Sequence, residues 1–229
     1  MSRVQQEVIT KDVFQFLKIL EKNNTREWFA DHKTEYKALE SRVKGFYSLV
    51  MDRLNEHDEI EKLKMFRIYR DIRFSKDKTP YKTHFAGSFS RAGLQLRGGY
   101  YLRIKPKETF AAVGFWGPNK DDLLRIRKEF EADASAIRSV VNDNAFREVW
   151  GDMRGDELKT APAGFSKDHP NIDLIKRKQF IFVKNFSDQE VLSANFIEDI
   201  DRAFRATRPY FDLMSDVLTT NLNGESLLE

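Results

Sequence analysis

The sequence predicts an α+β fold, with a central antiparallel sheet of about five strands and helices from the N- and C-terminal ends of the chain packed on it. Three observations predict it. Apolar residues recur at spacings of three and four through the first quarter of the chain. Between residues 64 and 116 the period falls to two and the residues become aromatic and β-branched, with turn signals at short intervals. Helical spacing then returns after Pro118-Asn119.

Taken in order, Thr10 stands where an N-cap belongs, ahead of a stripe of Val13, Phe16, Leu17 and Leu20. A turn follows at Asn23-Asn24. Asn24 and Glu27 have the spacing of a capping box, which predicts a long helix from near Thr25 with Trp28, His32, Tyr36, Leu39, Val43, Phe46, Val50 and Leu54 on its apolar side. Four strands are expected at about 65–74, 84–90, 99–105 and 110–116, separated by turns at Lys76-Asp77, Gly98-Gly99 and Lys105-Pro106. Their short connections imply an antiparallel meander, because parallel pairs need a longer crossover. Leu123, Ile126, Phe130 and Ile137 share one helical face, and 151–178 reads mostly as loop. A fifth strand is expected at 179–185. Ser187 and Glu190 then form a capping-box pattern, followed by two helices separated near Pro209.

No Pro-, Gly- or Ser-rich stretch divides the 229 residues, so residues 1–229 read as one domain. A 41% hydrophobic content with 19 Phe supplies a core. Cysteine is absent, which excludes a disulfide framework, a thiolate metal site and a nucleophilic thiol, and fits a reducing compartment. The first 20 residues scatter acidic and basic side chains where a signal peptide needs an apolar run, and no stretch approaches the roughly 18 apolar residues of a membrane span. A cytoplasmic protein without membrane contact is expected.

The net charge of +3 hides an uneven distribution. Residues 67–118 hold 11 Lys or Arg against three acids (Asp71, Asp77, Glu108), whereas residues 119–229 hold 16 against 21. Such a basic centre attracts an anionic ligand or partner, or is neutralised by the acidic C-terminal helices packing on it. Both readings stand open here. Nucleic acid is less favoured, since the whole-chain excess is modest for a protein that tracks a phosphate backbone.

The basic centre begins with RIYRDIRFSKDKTPY, residues 67–81. On a period of two, Phe66, Ile68, Ile72 and Phe74 share one face with Arg70, while Arg67, Tyr69, Asp71 and Arg73 share the other. A guanidinium on a core face requires a carboxylate or a ring of carbonyls, so Arg70 is assigned a structural ion pair. On the other face Asp71 sits between Arg67 and Arg73, either as a self-neutralised ladder or as a donor array for a phosphate or carboxylate. Lys78 and Tyr81 follow on a loop that Pro80 keeps out of the ladder. Arg67, Arg73, Lys78 and Tyr81 are thus the candidate ligand contacts.

The pattern Arg67-x-x-Arg70-Asp71-x-Arg73-Phe74-x-x-x-Lys78-x-x-Tyr81 resembles the signature of a family of conserved hypothetical proteins of bacteria and some fungi, classed as a domain of unknown function. Leu20 to Phe29, Gly99 to Leu102, Gly114 to Pro118 and Leu158 to Phe180 are also similar to it, so the resemblance covers nearly the whole chain. It implies a site at the motif and no particular chemistry.

Among the remaining candidates, His84 and Asp71 could transfer a proton, since imidazole titrates near neutrality and Asp71 lies between two arginines. His169, with Asp168 and Asp173, lies in the long loop, which could fold over the sheet, but no second histidine stands at ligand spacing, so neither a metal nor a cofactor is expected. His32 reads as a core histidine. Gly98-Gly99 and Gly114 to Gly117 read as turn and close-packing glycines and match no phosphate loop, and Ser75, Ser88 and Ser90 lack a nucleophile elbow. The expectation is a small anionic or phosphate-bearing ligand at the basic end of the sheet. The alternatives are docking of an acidic protein partner, and RNA binding if Tyr69, Tyr100 and Tyr101 are exposed on the sheet.

Overall fold

The computed structural model describes residues 8–221 and 224–228; residues 1–7, which open the stretch weighed against a signal peptide, lie outside the described residues. The chain runs α1 (Lys11–Lys22), α2 (Arg26–Asp31), α3 (Lys33–Leu54), β1 (Ile60–Met65), β2 (Phe85–Arg91), β3 (Gly99–Ile104), β4 (Thr109–Phe115), α4 (Lys120–Ala132), α5 (Ser135–Asn142), α6 (Asn144–Trp150), α7 (Ile172–Ile175), β5 (Phe180–Phe186), α8 (Asp188–Val191), α9 (Phe196–Arg205) and α10 (Arg208–Thr219). The five strands lie side by side in chain order, each antiparallel to the next, in the α+β arrangement that the sequence predicts. No helix among the described residues is long and apolar enough to cross a membrane.

The two faces of the sheet differ. Strand register places Leu63, Phe89, Tyr100 and Val113 on one side, and that side meets the helices. There the Tyr47 hydroxyl of α3 donates to the Leu102 carbonyl at 2.9 Å, and the Tyr210 hydroxyl of α10 donates to Phe180 at 2.9 Å. Phe204 of α9 and Phe146 of α6 meet Tyr100 and Phe182 edge-on, with centroids 4.9 Å apart in each pair. Such pairs add about 0.5–1.5 kcal/mol each beyond the area they bury. Gly87 permits the approach of α3, since a Cβ there would stand 2.9 Å from the Tyr47 ring. The opposite face carries Lys62, Lys64, Ser88, Tyr101, Phe110 and Ala112.

Four expectations need correction. The first strand is Ile60–Met65, not 65–74. Its register with β2 shifts between Ile60 and Lys62, so a bulge at Glu61 replaces period-two alternation with a spacing of three between the core-side Ile60 and Leu63, and this hid the strand. Pairing stops at Met65↔Gly87 and the motif continues as irregular backbone. The long helix is interrupted at His32, which is half-buried rather than in the core; its ring stacks on Trp28 at 3.9 Å and its Nδ1 lies 2.8 Å from the Trp28 carbonyl. The cap of α2 is Thr25, whose hydroxyl accepts from Trp28 N at 3.2 Å. Finally, the helical face running to Ile137 belongs to two helices, because the Asp133 carboxylate takes the Ser135 N–H at 2.8 Å and starts α5 afresh. The capping box at Ser187 and Glu190 is formed, and Pro209 opens α10.

Candidate functional site

Residues 67–81 form a loop closed by a single bridge between Tyr69 and Tyr81, with Arg70 N donating to Pro80 O at 2.9 Å and Lys82 N to Ile68 O at 2.8 Å. The alternation of charge in the motif resembles a strand, but local hydrogen bonds capture it instead. The Asp77 carboxylate accepts from Thr79 N and Thr79 Oγ1, each at 2.9 Å, and pairs with the Arg70 guanidinium. These contacts, the Thr79 amide first and Arg70 second, hold the Asp77 carboxyl down at about 2. Arg70 also reaches the Thr79 hydroxyl and, at 3.4 Å, that of Ser75. It therefore fastens the loop through a carboxylate, at a partly exposed position rather than on a core face.

The loop is pinned to the N-terminal helices by one amide. Asn24 donates to the Tyr81 carbonyl at 2.9 Å and accepts from Tyr81 N at 3.1 Å, so its side chain satisfies both backbone groups of that residue. The Tyr81 ring, 6% exposed, stacks on Phe29 of α2 at 4.0 Å, and Ile68 is buried beside it in the core. Asn24 is thus spent on the motif instead of capping α2. Asn24→Ala is expected to lower stability by about 1–3 kcal/mol, the usual effect of stranding buried backbone groups. Urea denaturation measures the loss, and faster amide exchange confined to 67–82 distinguishes loosening of the motif from a global effect.

The four predicted ligand contacts do not converge. Arg73 is exposed and its Nε and Nη2 grip the Asp71 carboxylate at 2.9 and 2.6 Å. Asp71 is held below the usual carboxylate range by Arg73 first, and its oxygens are occupied, which leaves no free base there. Lys78 donates to the Ile72 carbonyl at 2.9 Å. Arg67 is exposed, and its carbonyl accepts from Lys82 Nζ at 2.9 Å. Phe74, expected among the apolar residues, is 97% exposed. Of the four, Tyr81 alone lines the cleft beside the motif.

That cleft, of about 430 Å³, opens between the α1–α2 turn and the end of β2. Arg70, Thr79, Tyr81, Lys82, His84 and Lys105 line it, with Glu21, Asn24, Asp77 and Thr83 completing the wall. The two acids are already engaged: Asp77 with Arg70 and Thr79, and Glu21 with Lys105 at 3.4 Å. Lys105 also pairs with Glu108 at 2.5 Å. Lys82 makes no ion pair among the described residues, and burial, then Arg67, lowers its pKa. His84 forms no hydrogen bond to another described residue. Its pKa is pushed down to about 4, chiefly by burial and then by Arg103, Lys82 and Lys105. At neutral pH it is an uncharged imidazole in a positive field, with one nitrogen able to donate and one to accept.

The candidates in the long loop have other partners. Asn171 N donates to His169 Nδ1 at 3.1 Å, and Asp173 pairs with Arg138 at 2.7 Å. No group of three or more His, Asp or Glu side chains fit to hold a metal ion occurs among the described residues.

A buried charge cluster at the far end of β2 escaped the sequence reading. Asp58 accepts from Arg91 Nε at 2.8 Å and from the Tyr100 hydroxyl at 2.5 Å, and pairs with Arg208. Arg91 also donates to the Arg97 carbonyl at 2.8 Å and to Ser215 Oγ at 3.2 Å, and its side chain is fully buried, with Phe211 4.9 Å from its guanidinium carbon. The period-two count that singled out Arg70 applies to Arg91, which follows Phe85, Gly87 and Phe89 on the core face of β2. Asp58 had no such signal in the charged run Glu56-His57-Asp58-Glu59.

No curated protein and no solved structure matches the chain. The family model described as conserved hypothetical protein (DUF2461) matches residues 12–213, a span that holds the sheet, the motif loop, the cleft beside it and the buried charge cluster, and the chain belongs to that family.

Proposed function

We propose that this is a cytoplasmic protein that binds a small anionic, phosphate-bearing ligand in the cleft between the α1–α2 turn and the motif loop. The carrying observation is His84: a cleft-lining imidazole with no hydrogen bond to the described residues, kept neutral by burial and by three cations, Arg103, Lys82 and Lys105. An anion seated there would offset those cations, accept from Lys82 and take a hydrogen bond from the imidazole. Arg70, fixed by Asp77 and Thr79, supplies further donors on the adjoining wall. The motif then serves the site indirectly, by building its wall and holding Arg70 in place, while Arg67 and Arg73 contribute to the surrounding field.

The sign of the coupling gives the test. An anion that binds the protonated imidazole better must raise its pKa, and protonation must in turn tighten the anion. Imidazole NMR titration of the four-histidine chain in inorganic phosphate or sulfate is expected to move His84 up by about 1 unit or more. Lys82→Ala is expected to weaken phosphate binding about tenfold. A His84 titration that ignores both anions up to tens of millimolar, roughly the weakest range of specific sites, rejects the reading.

Without ligand, the same depression links His84 to stability. Its folded pKa lies below the ordinary value near 6.5, so the unfolded chain takes the proton more readily. Stability is therefore present above about pH 6.5 and declines as pH falls toward 4. His84→Gln is expected to flatten that part of the pH–stability curve as followed by urea denaturation.

A further inference from the structure

The helix-free face of the sheet has the chemistry of a stacking platform. Phe66, just past β1, Tyr101 on β3, Phe110 on β4 and Trp116, just past β4, form a row there, with centroids 6.2 Å (Phe66–Tyr101), 5.6 Å (Tyr101–Phe110) and 6.0 Å (Tyr101–Trp116) apart. They line a concavity of about 470 Å³ floored by Ser88, Ala112 and Gly114. Trp116 is 51% exposed and Phe66 36%. Of the three tyrosines whose exposure on the sheet was the condition for RNA binding, Tyr100 is buried on the helix side, Tyr69 lies in the motif loop, and Tyr101 alone faces this surface.

Cations surround the row. Lys64 and Lys82 hold their ammonium groups 5.7 and 5.8 Å from the Phe66 ring, Arg103 lies 5.7 Å from Phe110, and Lys62 shares the face two residues before Lys64. In register, the open-face positions from Lys62 on β1 to Asn185 on β5 include no acidic residue, and the bulged Glu61 is turned to Gly93 N at 3.3 Å. Among the described residues, only Arg103 of the four cations has an acidic partner, Glu108 at 3.2 Å.

We infer that this face binds single-stranded nucleic acid, with bases stacked on Tyr101, Phe110 and Trp116 and phosphates near Lys62, Lys64, Lys82 and Arg103. Every base has a flat face that such rings accept, and a groove of cations follows the backbone. A second copy of the chain would oppose like charges across the contact. A mononucleotide would bring its phosphate to one place, whereas these cations run along β1 and across to β3, a spread of about 10 Å at ordinary strand spacing. The inference stands apart from the anion cleft, which lies at the end of the sheet and shares with this face only the Lys82 side chain and the field of Arg103.

Fluorescence anisotropy with labelled oligo-uridine and oligo-thymidine 12-mers tests it, alongside a duplex of equal length, uridine monophosphate and polyglutamate. Binding of the single strands is expected to loosen with salt at a logarithmic slope of about −2 to −3, as three to four released counterions require. Tyr101→Ala is expected to weaken it about tenfold, and Trp116→Ala, at the exposed rim, gives an independent reading should Tyr101→Ala fail to fold. Lys62→Glu with Lys64→Glu should weaken binding and flatten the salt slope. Absent binding in low salt, equal affinity for the duplex, indifference to both aromatic substitutions, or equal competition by the mononucleotide overturns the inference. Polyglutamate binding as tightly as the 12-mers would also overturn it and assign the face to an acidic protein partner.

Discussion

Asp58→Ala is expected to lower the stability of the folded chain by about 3–5 kcal/mol, because it strands buried guanidinium charge while removing little volume. Arg91 is fully buried and Arg208 partly so, and Asp58 is the buried carboxylate that both of them share. Asp212, which is exposed, holds Arg208 at 2.9 Å but stands 3.7 Å from Arg91, so it cannot replace Asp58 at the buried guanidinium. In thermal unfolding, a chain of this length shifts by about 2–4 °C per kcal/mol, so the midpoint should fall by roughly 6–20 °C. Asp71→Ala removes an equally well-formed pair, Asp71–Arg73, that lies in solvent, and should leave the midpoint almost unmoved. Equal effects of the two substitutions would refute the assignment of the buried cluster as a structural anchor.

Asp58 also gives this prediction a pH signature. Burial raises its pKa, but the Tyr100 hydroxyl, Arg208 and Arg91 together lower it further, and the net displacement is downward. A carboxylate with a folded pKa below the unfolded one contributes stability above the unfolded value, near 4, and loses it as pH falls through the folded value. Asp58→Asn keeps the shape and abolishes the charge. Its deficit relative to the unsubstituted chain should be full at pH 7 and shrink below about pH 4.

Gly114→Ala is the second large effect, expected to destabilise by about 3 kcal/mol as strain and overpacking add. Gly114 has φ 125, a backbone conformation that side chains resist, and lies within β4 opposite Ile181. A Cβ there would stand 2.1 Å from the Phe180 carbonyl oxygen, the acceptor for the Tyr210 hydroxyl. Backbone cannot yield as a flexible side chain can, so β4 and β5 must separate locally. Gly117, three residues on, has nothing within 4 Å of its Cβ position, and Gly117→Ala should be nearly neutral. Urea titration of both variants checks the contrast, and a Gly114→Ala midpoint equal to that of Gly117→Ala would contradict the close approach of β5.

The cleft and the cluster were legible to different degrees. The basic centre of 67–118 did mark the region of the cleft, and His84 was singled out beside the motif, because local charge density and a lone imidazole are visible in one dimension. Arg70 found its carboxylate in Asp77, seven residues away, where spacing alone could name the need but not the partner. Alternation reads as a strand, which puts Arg67 and Arg73 on one face and Lys78 on the loop at its end. A strand needs an edge to pair with, and β2 provides one only as far as Met65. Beyond that point the Asp71 and Asp77 side chains compete for backbone and guanidinium donors and fold the segment on itself.

The order of helices and strands, the antiparallel meander, most helix faces and the capping box at Ser187 are legible in the sequence, since they follow from periodicity and contacts a few residues apart. Only the packing of distant segments sets where the charged and aromatic residues lie and what they touch. It brought Asn24 to Tyr81 across 57 positions and Asp58 to Arg91 and Arg208, and it buried Tyr100 while leaving its neighbour Tyr101 on the open face. The reason is physical: a strand turns consecutive side chains to opposite faces, and only packing of the helices selects which face meets water.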